Sequence, residues 1–138
     1  MKADDLIENV RRWAQRDDRV IAAGICGSYA RGEAGPGSDI DFCILSHEPQ
    51  SLLENRAWIF ALGERVRIID EVEDYKLVQA IRVFFDRTEA EFGLTAAAWA
   101  TLPLDVETAA VISSGLLVLY DPEQTLEQAI EFAAAMAR

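Results

Sequence analysis

The chain of 138 residues has the length of one domain and enough bulk for a core without disulfide or metal staples. Hydrophobic residues make up 51% and charged residues 27%, an ordinary globular balance that excludes a disordered chain. The net charge of −11 argues against general nucleic-acid binding, which needs basic surface to displace phosphate counterions, and is compatible with a cationic acceptor or a basic protein partner.

The expected elements follow from hydrophobic periodicity. Residues 4–16 form an amphipathic helix with Leu6, Val10, Trp13 and Ala14 on one face and Asp4 or Asp5 as cap. The start of the chain is acidic and lacks the apolar stretch of a signal peptide, so a cytoplasmic location is expected. Residues 19–26 read as a buried strand, well short of the ~20 residues that cross a bilayer, so no membrane role is expected. A Gly-rich stretch, 27–37, leads to a second strand over 39–45. There Ile40, Phe42 and Ile44 take one face, and Asp39, Asp41, Cys43 and Leu45 the other. After a polar break at 47–50, residues 51–62 form a helix stopped by Gly63. A short strand at 65–69 and a charged loop at 71–75 precede a hairpin of 78–85 and 90–94, with 86–89 as its turn. Short helices at 95–101 and 105–113 are split by Pro103. A strand follows at 115–120, then a last helix opened by Asp121-Pro122. Strands interspersed with helices imply a single α/β (α+β) domain with a mixed sheet flanked by helices.

Several residues have plain structural readings. Cys26 and Cys43 sit in apolar stretches and are small core residues, since His47 is the sole histidine and reads as a loop residue. Trp13, Trp58 and Trp99 lie on apolar helix faces and read as core or interface residues before base-stacking platforms. For the stripe Leu126, Ala129, Ile130, Ala133 and Ala134, core packing and a partner surface both remain open.

Chemistry concentrates between Gly27 and Asp41. A strand ending in Gly27-Ser28 lets backbone amides approach an anion closely, and a short helical turn there aims amides at phosphate oxygens. The Ser28 hydroxyl and Arg31 guanidinium add donors suited to a polyphosphate. Asp39 and Asp41, two apart on a strand, project from one face and repel unless a hard divalent ion such as Mg²⁺ lies between them. Two such ions can bridge carboxylates and triphosphate during in-line attack at phosphorus.

Gly-Ser, ten residues, then Asp-x-Asp between apolar strands resembles the signature of the DNA polymerase beta-like nucleotidyltransferase superfamily. Residues 27–45 look like its small bacterial members, the aminoglycoside adenylyltransferases and minimal nucleotidyltransferases. The resemblance implies the nucleotidyltransferase fold, with the acidic pair on a central strand. It implies that Gly27 and Ser28 bind phosphate, that Arg31 and Ser38 contact the β- and γ-phosphates, and that Asp39 and Asp41 hold the metal. A third carboxylate, metal ligand or general base, follows on a later strand in an apolar-acid-apolar pattern. Ala90-Glu91-Phe92 fits it, with Glu89 on the same strand face as rival and Asp70 as a third candidate.

The implied activity is Mg²⁺-dependent transfer of a nucleoside monophosphate, AMP in particular, from ATP or another nucleoside triphosphate to a hydroxyl acceptor with release of pyrophosphate. Two departures bear on the acceptor, a small molecule or a protein. Relatives continue into a C-terminal helical acceptor-binding domain, whereas residues 1–138 are expected to hold the nucleotidyltransferase domain alone. Where some aminoglycoside enzymes carry a lysine, this chain has Leu94 and Thr95. The alternative is an antitoxin-like or binding module acting on a small helical partner protein; a homodimer completing the cleft is a further expectation.

Overall fold

The computed structural model describes residues 2–35, 37–75 and 77–137 and, among these, side chains other than those of residues 70–75. Helix α1 (Ala3–Arg16) buries Leu6, Val10, Trp13 and Ala14. Its cap position is Lys2, whose N–H donates to Asp5 Oδ2 at 3.0 Å. The acid expected as cap therefore works from the first helical turn, reaching back. β1 (Val20–Cys26) runs into a four-residue helix, α2 (Gly27–Ala30), and β2 (Ile40–Ser46) follows the loop.

The single helix expected at 51–62 is two pieces, α3 (Pro49–Glu54) and α4 (Ala57–Phe60). Asn55 is extended and its Oδ1 accepts from the Ala57 N–H at 3.3 Å, which starts a new turn. The break leaves the Leu52 carbonyl to the Trp58 indole N–H at 2.9 Å and lets Trp58 stack on Trp13, ring centroids 4.4 Å apart. Gly63 is thus not the stop; α4 ends at Phe60 with Ala61 as its cap.

β3 (Val66–Tyr75) is one strand where a strand and a loop were expected, and a register shift between Ile69 and Val72 absorbs the extra residues. β4 (Val78–Phe85) and β5 (Thr88–Thr95) form the hairpin with a tighter turn, Asp86-Arg87, in which Asp86 takes φ 52°. A 3₁₀ turn (Ala97–Ala100), α5 (Val106–Ser113), β6 (Leu116–Tyr120) and α6 (Thr125–Met136) complete the chain. Asp121 stands ahead of α6 and its carboxylate accepts from the Leu126 and Glu127 N–H groups at 3.1 and 2.9 Å.

Among the described residues six strands form one sheet in the order β3-β4-β5-β2-β1-β6. β2 and β5 pair in parallel and the other neighbours are antiparallel. Both faces are covered. Ile40, Phe42, Ile44, Ile81, Val83, Phe85 and Phe92 pack under α1, α3 and α4. Ile21, Ala22, Cys43 and Leu45 pack under Trp99, α5 and α6, where Leu126, Ala129 and Ala133 use the stripe of the last helix as core. The mixed sheet flanked by helices expected from the sequence is the fold observed.

Candidate active site

Strand alternation puts Asp41 on the face of Cys43 and Leu45, near the start of β2, where it is half-buried. The ladders draw a row across four strands: Arg82 on β4 opposite Glu91 on β5, Glu91 opposite Asp41 on β2, and Asp41 opposite Cys26 on β1. Residues level with one another in a sheet share a face, so these four side chains emerge together. Behind them the Phe42 and Phe92 rings, in register on the other face, stack at 5.0 Å and 10°. That stack and the ladder hold Glu91 beside Asp41, since a one-residue slip would turn either carboxylate into the core.

Gly27 begins α2 with φ +74°, and a Cβ there would stand 2.5 Å from Asp41 Oδ2. The glycine is required by this carboxylate as well as by its left-handed backbone. Arg31 caps the end of α2, and its stem lies against Gly115, where a Cβ would meet Arg31 Cγ at 3.1 Å. Its Nε donates to Glu33 Oε2 at 3.1 Å, so it carries an ion pair of its own on the surface. Ser38 closes its loop: its N–H donates to the Gly35 carbonyl at 3.1 Å and its Oγ accepts from the Gly35 N–H at 3.0 Å. Cys26 and Cys43 are free and their thiols are hydrogen-bonded; the donated proton holds Cys26 below its ordinary range and Cys43 well above.

Asp41 is half-buried, and its carboxyl is pushed up to about 6, first by burial, then by the like charges of Asp39 and Glu91, against the opposing pull of Arg82 and Arg31. A carboxylate held so is one that a hard cation would stabilise, and the donor set is all carboxylate oxygen, so the residues fit Mg²⁺. Among the described residues, however, no three such groups are gathered closely enough to hold an ion as they stand.

The three candidates for the third carboxylate are placed differently. Glu91 is level with Asp41. Glu89 shares its face two residues back along β5, beyond the Ile40–Ala90 pair at which the β2 ladder begins. The backbone of Asp70 lies on β3, three strands from β2, roughly 14 Å away at the usual spacing; its side chain is outside the described residues.

Arg82 is the site residue that the sequence reading missed. Its Nη1 donates to Glu89 Oε1 at 3.2 Å and its Nη2 to Glu91 Oε2 at 3.1 Å. A turn over 86–89 would pair Phe85 with Ala90 and set Arg82 opposite Gly93. The two-residue turn shifts the ladder by two and brings Arg82 to Glu91. The alternation of Arg82 with Ile81 and Val83 is visible in the sequence; the turn length that decides its neighbour is not.

The sequence profile described as Nucleotidyltransferase domain matches residues 7–92, well over half of the chain. The chain belongs to this family. The match runs from α1 through Phe92 on β5, so every residue of the carboxylate row, and Gly27, Ser28, Arg31 and Ser38 with it, lies inside the nucleotidyltransferase domain, the fold of a class of nucleotide-transferring enzymes. Among solved structures it is similar to an aminoglycoside 6-adenyltransferase from Bacillus subtilis, with a TM-score of 0.52 and 14% identity. That similarity covers 72% of this chain and 37% of the other, and at this identity it speaks for the shared fold. No curated protein matches the chain significantly. Among the described residues no helix is long and apolar enough to cross a membrane.

Proposed function

We propose that this domain transfers AMP from ATP to a hydroxyl acceptor. The acceptor oxygen attacks the α-phosphorus, the bond from that phosphorus to the bridging oxygen breaks, and pyrophosphate leaves. The observation that carries this reading is Asp41 itself: a carboxylate in the mid-sheet row, level with Glu91 and raised to about 6 by burial and like charge. Asp39, Asp41 and Glu91 would hold Mg²⁺, two ions in this reading, which when bound neutralises charge on the triphosphate. Gly27 and Ser28 at the start of α2 bind phosphate, with Arg31 and Ser38 on the β- and γ-phosphates once they exchange Glu33 and Gly35 for them. Glu91, level with Asp41, would accept the proton of the acceptor hydroxyl, a reading that its place in the register supports. Catalysis then rests on in-line positioning and on charge held in place before reaction.

For the acceptor, a cationic polyhydroxyl small molecule is favoured. The chain is strongly acidic, at −11, and the structurally similar Bacillus subtilis protein is an aminoglycoside 6-adenyltransferase. The test is incubation with ATP labelled at the α-phosphate, Mg²⁺ and a panel of aminoglycosides, uncharged polyols and lysate proteins. Label should pass to an acceptor with wild-type protein and not with Asp41→Asn. Equal transfer by Asp41→Asn would remove the carboxylate mechanism; label on a protein alone would replace the small-molecule acceptor with a protein one.

A further inference from the structure

Arg82 has a use beyond linking two strands. Its two terminal nitrogens contact different carboxylates, Nη1 on Glu89 and Nη2 on Glu91 at 3.2 and 3.1 Å. Releasing Glu91 would therefore leave the guanidinium anchored on Glu89. Glu91 lies between Arg82 on one neighbouring strand and Asp41 on the other, so its carboxylate can serve one side or the other. It is turned to Arg82, and Asp39, Asp41 and Glu91 are aligned without being gathered into a cage. The side chains of Arg82, Glu89 and Glu91 are 36%, 29% and 24% exposed, which leaves the two ion pairs partly screened and weak enough to exchange.

We propose that Arg82 is a positioning residue that stands in for the divalent ion, holding Glu91 on β4's side until an ion at Asp39 and Asp41 takes that carboxylate over. This rests on the metal-binding reading of the carboxylates above. It sets Arg82 in competition with the ion, so that removing the guanidinium should strengthen ion binding, where loss of a merely structural contact would leave it unchanged or weaken it.

The test uses the full chain and Mn²⁺ alone as probe, titrated by electron paramagnetic resonance, with thermal melts alongside. Arg82→Gln should bind Mn²⁺ at least about fivefold more tightly than wild type, in the range of ordinary coupling between competing ligands. Its melting temperature should be lower than wild type in metal-free buffer, and the gap should narrow at saturating Mn²⁺, leaving only the part due to the Arg82–Glu89 pair. If Arg82→Gln does not fold, Arg82→Lys keeps the charge but not the fork, and should show a smaller gain in affinity. Unchanged or weaker Mn²⁺ binding in a folded Arg82 variant, or a melting gap that does not narrow at saturation, overturns the proposal. Asp41→Asn separates the two readings. If wild type binds Mn²⁺ no better than Asp41→Asn, the metal-binding reading falls and takes this one with it. If binding is lost in Asp41→Asn and unmoved in Arg82→Gln, only the role of Arg82 falls.

Discussion

Asp41 carries opposing demands, and they set its pH dependence. Its folded value of about 6 lies above the ordinary 3.8, so folding favours the protonated acid. For this group the metal-free protein is at full stability below about pH 4, loses stability as pH rises through about 6, and stays lower above it. Asp41→Asn removes that loss. In metal-free buffer the variant should melt higher than wild type by a margin that grows between pH 4 and pH 7. That margin corresponds to about 1–2 kcal/mol, less than the shift alone would give, because solvent screens a half-exposed site. Thermal melts at several pH values check this, and a margin constant with pH would contradict it. Gly27 is the complementary case. Gly27→Ala places a methyl 2.5 Å from Asp41 Oδ2 at φ +74°, so the loop or the carboxylate must move. A left-handed alanine costs about 1–3 kcal/mol, and a displaced carboxylate should lower transfer by about 10²-fold, measured as kcat/KM beside a melting curve.

At the scale of elements, the parallel pairing of β2 with β5 sets Glu91 beside Asp41 in the candidate site, and the aromatic stack behind it supports that pairing. Phe92 is fully buried, with Phe42 at 5.0 Å and Trp58 edge-on at 5.2 Å. Phe92→Ala should destabilise the domain by about 3–5 kcal/mol and lower transfer even at temperatures where the protein stays folded. Asp121→Ala offers the contrast: it removes the carboxylate accepting at the start of α6, and should cost about 1 kcal/mol with kcat unchanged. Denaturant unfolding and steady-state kinetics on both variants separate fold from site. If Phe92→Ala kept full activity while folded, the stack would have no part in holding the carboxylate row.

On the scale of the whole molecule, the net charge of −11 acts over a longer range than any pair in the site. If the acceptor is cationic, its KM should rise several-fold when NaCl goes from about 0.05 to about 0.5 M, whereas an uncharged polyol should show little change, because salt screens the steering field. Initial rates against acceptor concentration at the two salt levels decide it. Equal salt sensitivity for both acceptors would place the effect at the triphosphate instead.

How much of this was legible in the chain differs from residue to residue. Gly27-Ser28 and Asp39-Ile40-Asp41 stand out in the sequence as candidates, the first by family resemblance and the second because strand alternation is a local rule that fixes which side chains share a face. The same rule placed Ile40, Phe42 and Ile44 in the core. Helix ends were less legible. Asn55 split one helix into two because the Trp58 indole took the Leu52 carbonyl and stacked on Trp13, a contact with a residue far away in the chain. The neighbours of the carboxylates lay furthest from view. That Glu91 is level with Asp41 and that Arg82 bridges Glu89 and Glu91 both depend on ladder register. The sequence by itself determined the chemistry on offer, the faces and the family likeness, because these depend on residue type and short spacing. Only the tertiary structure decided which charges meet, because one turn shorter by two residues slides every cross-strand partner along the sheet.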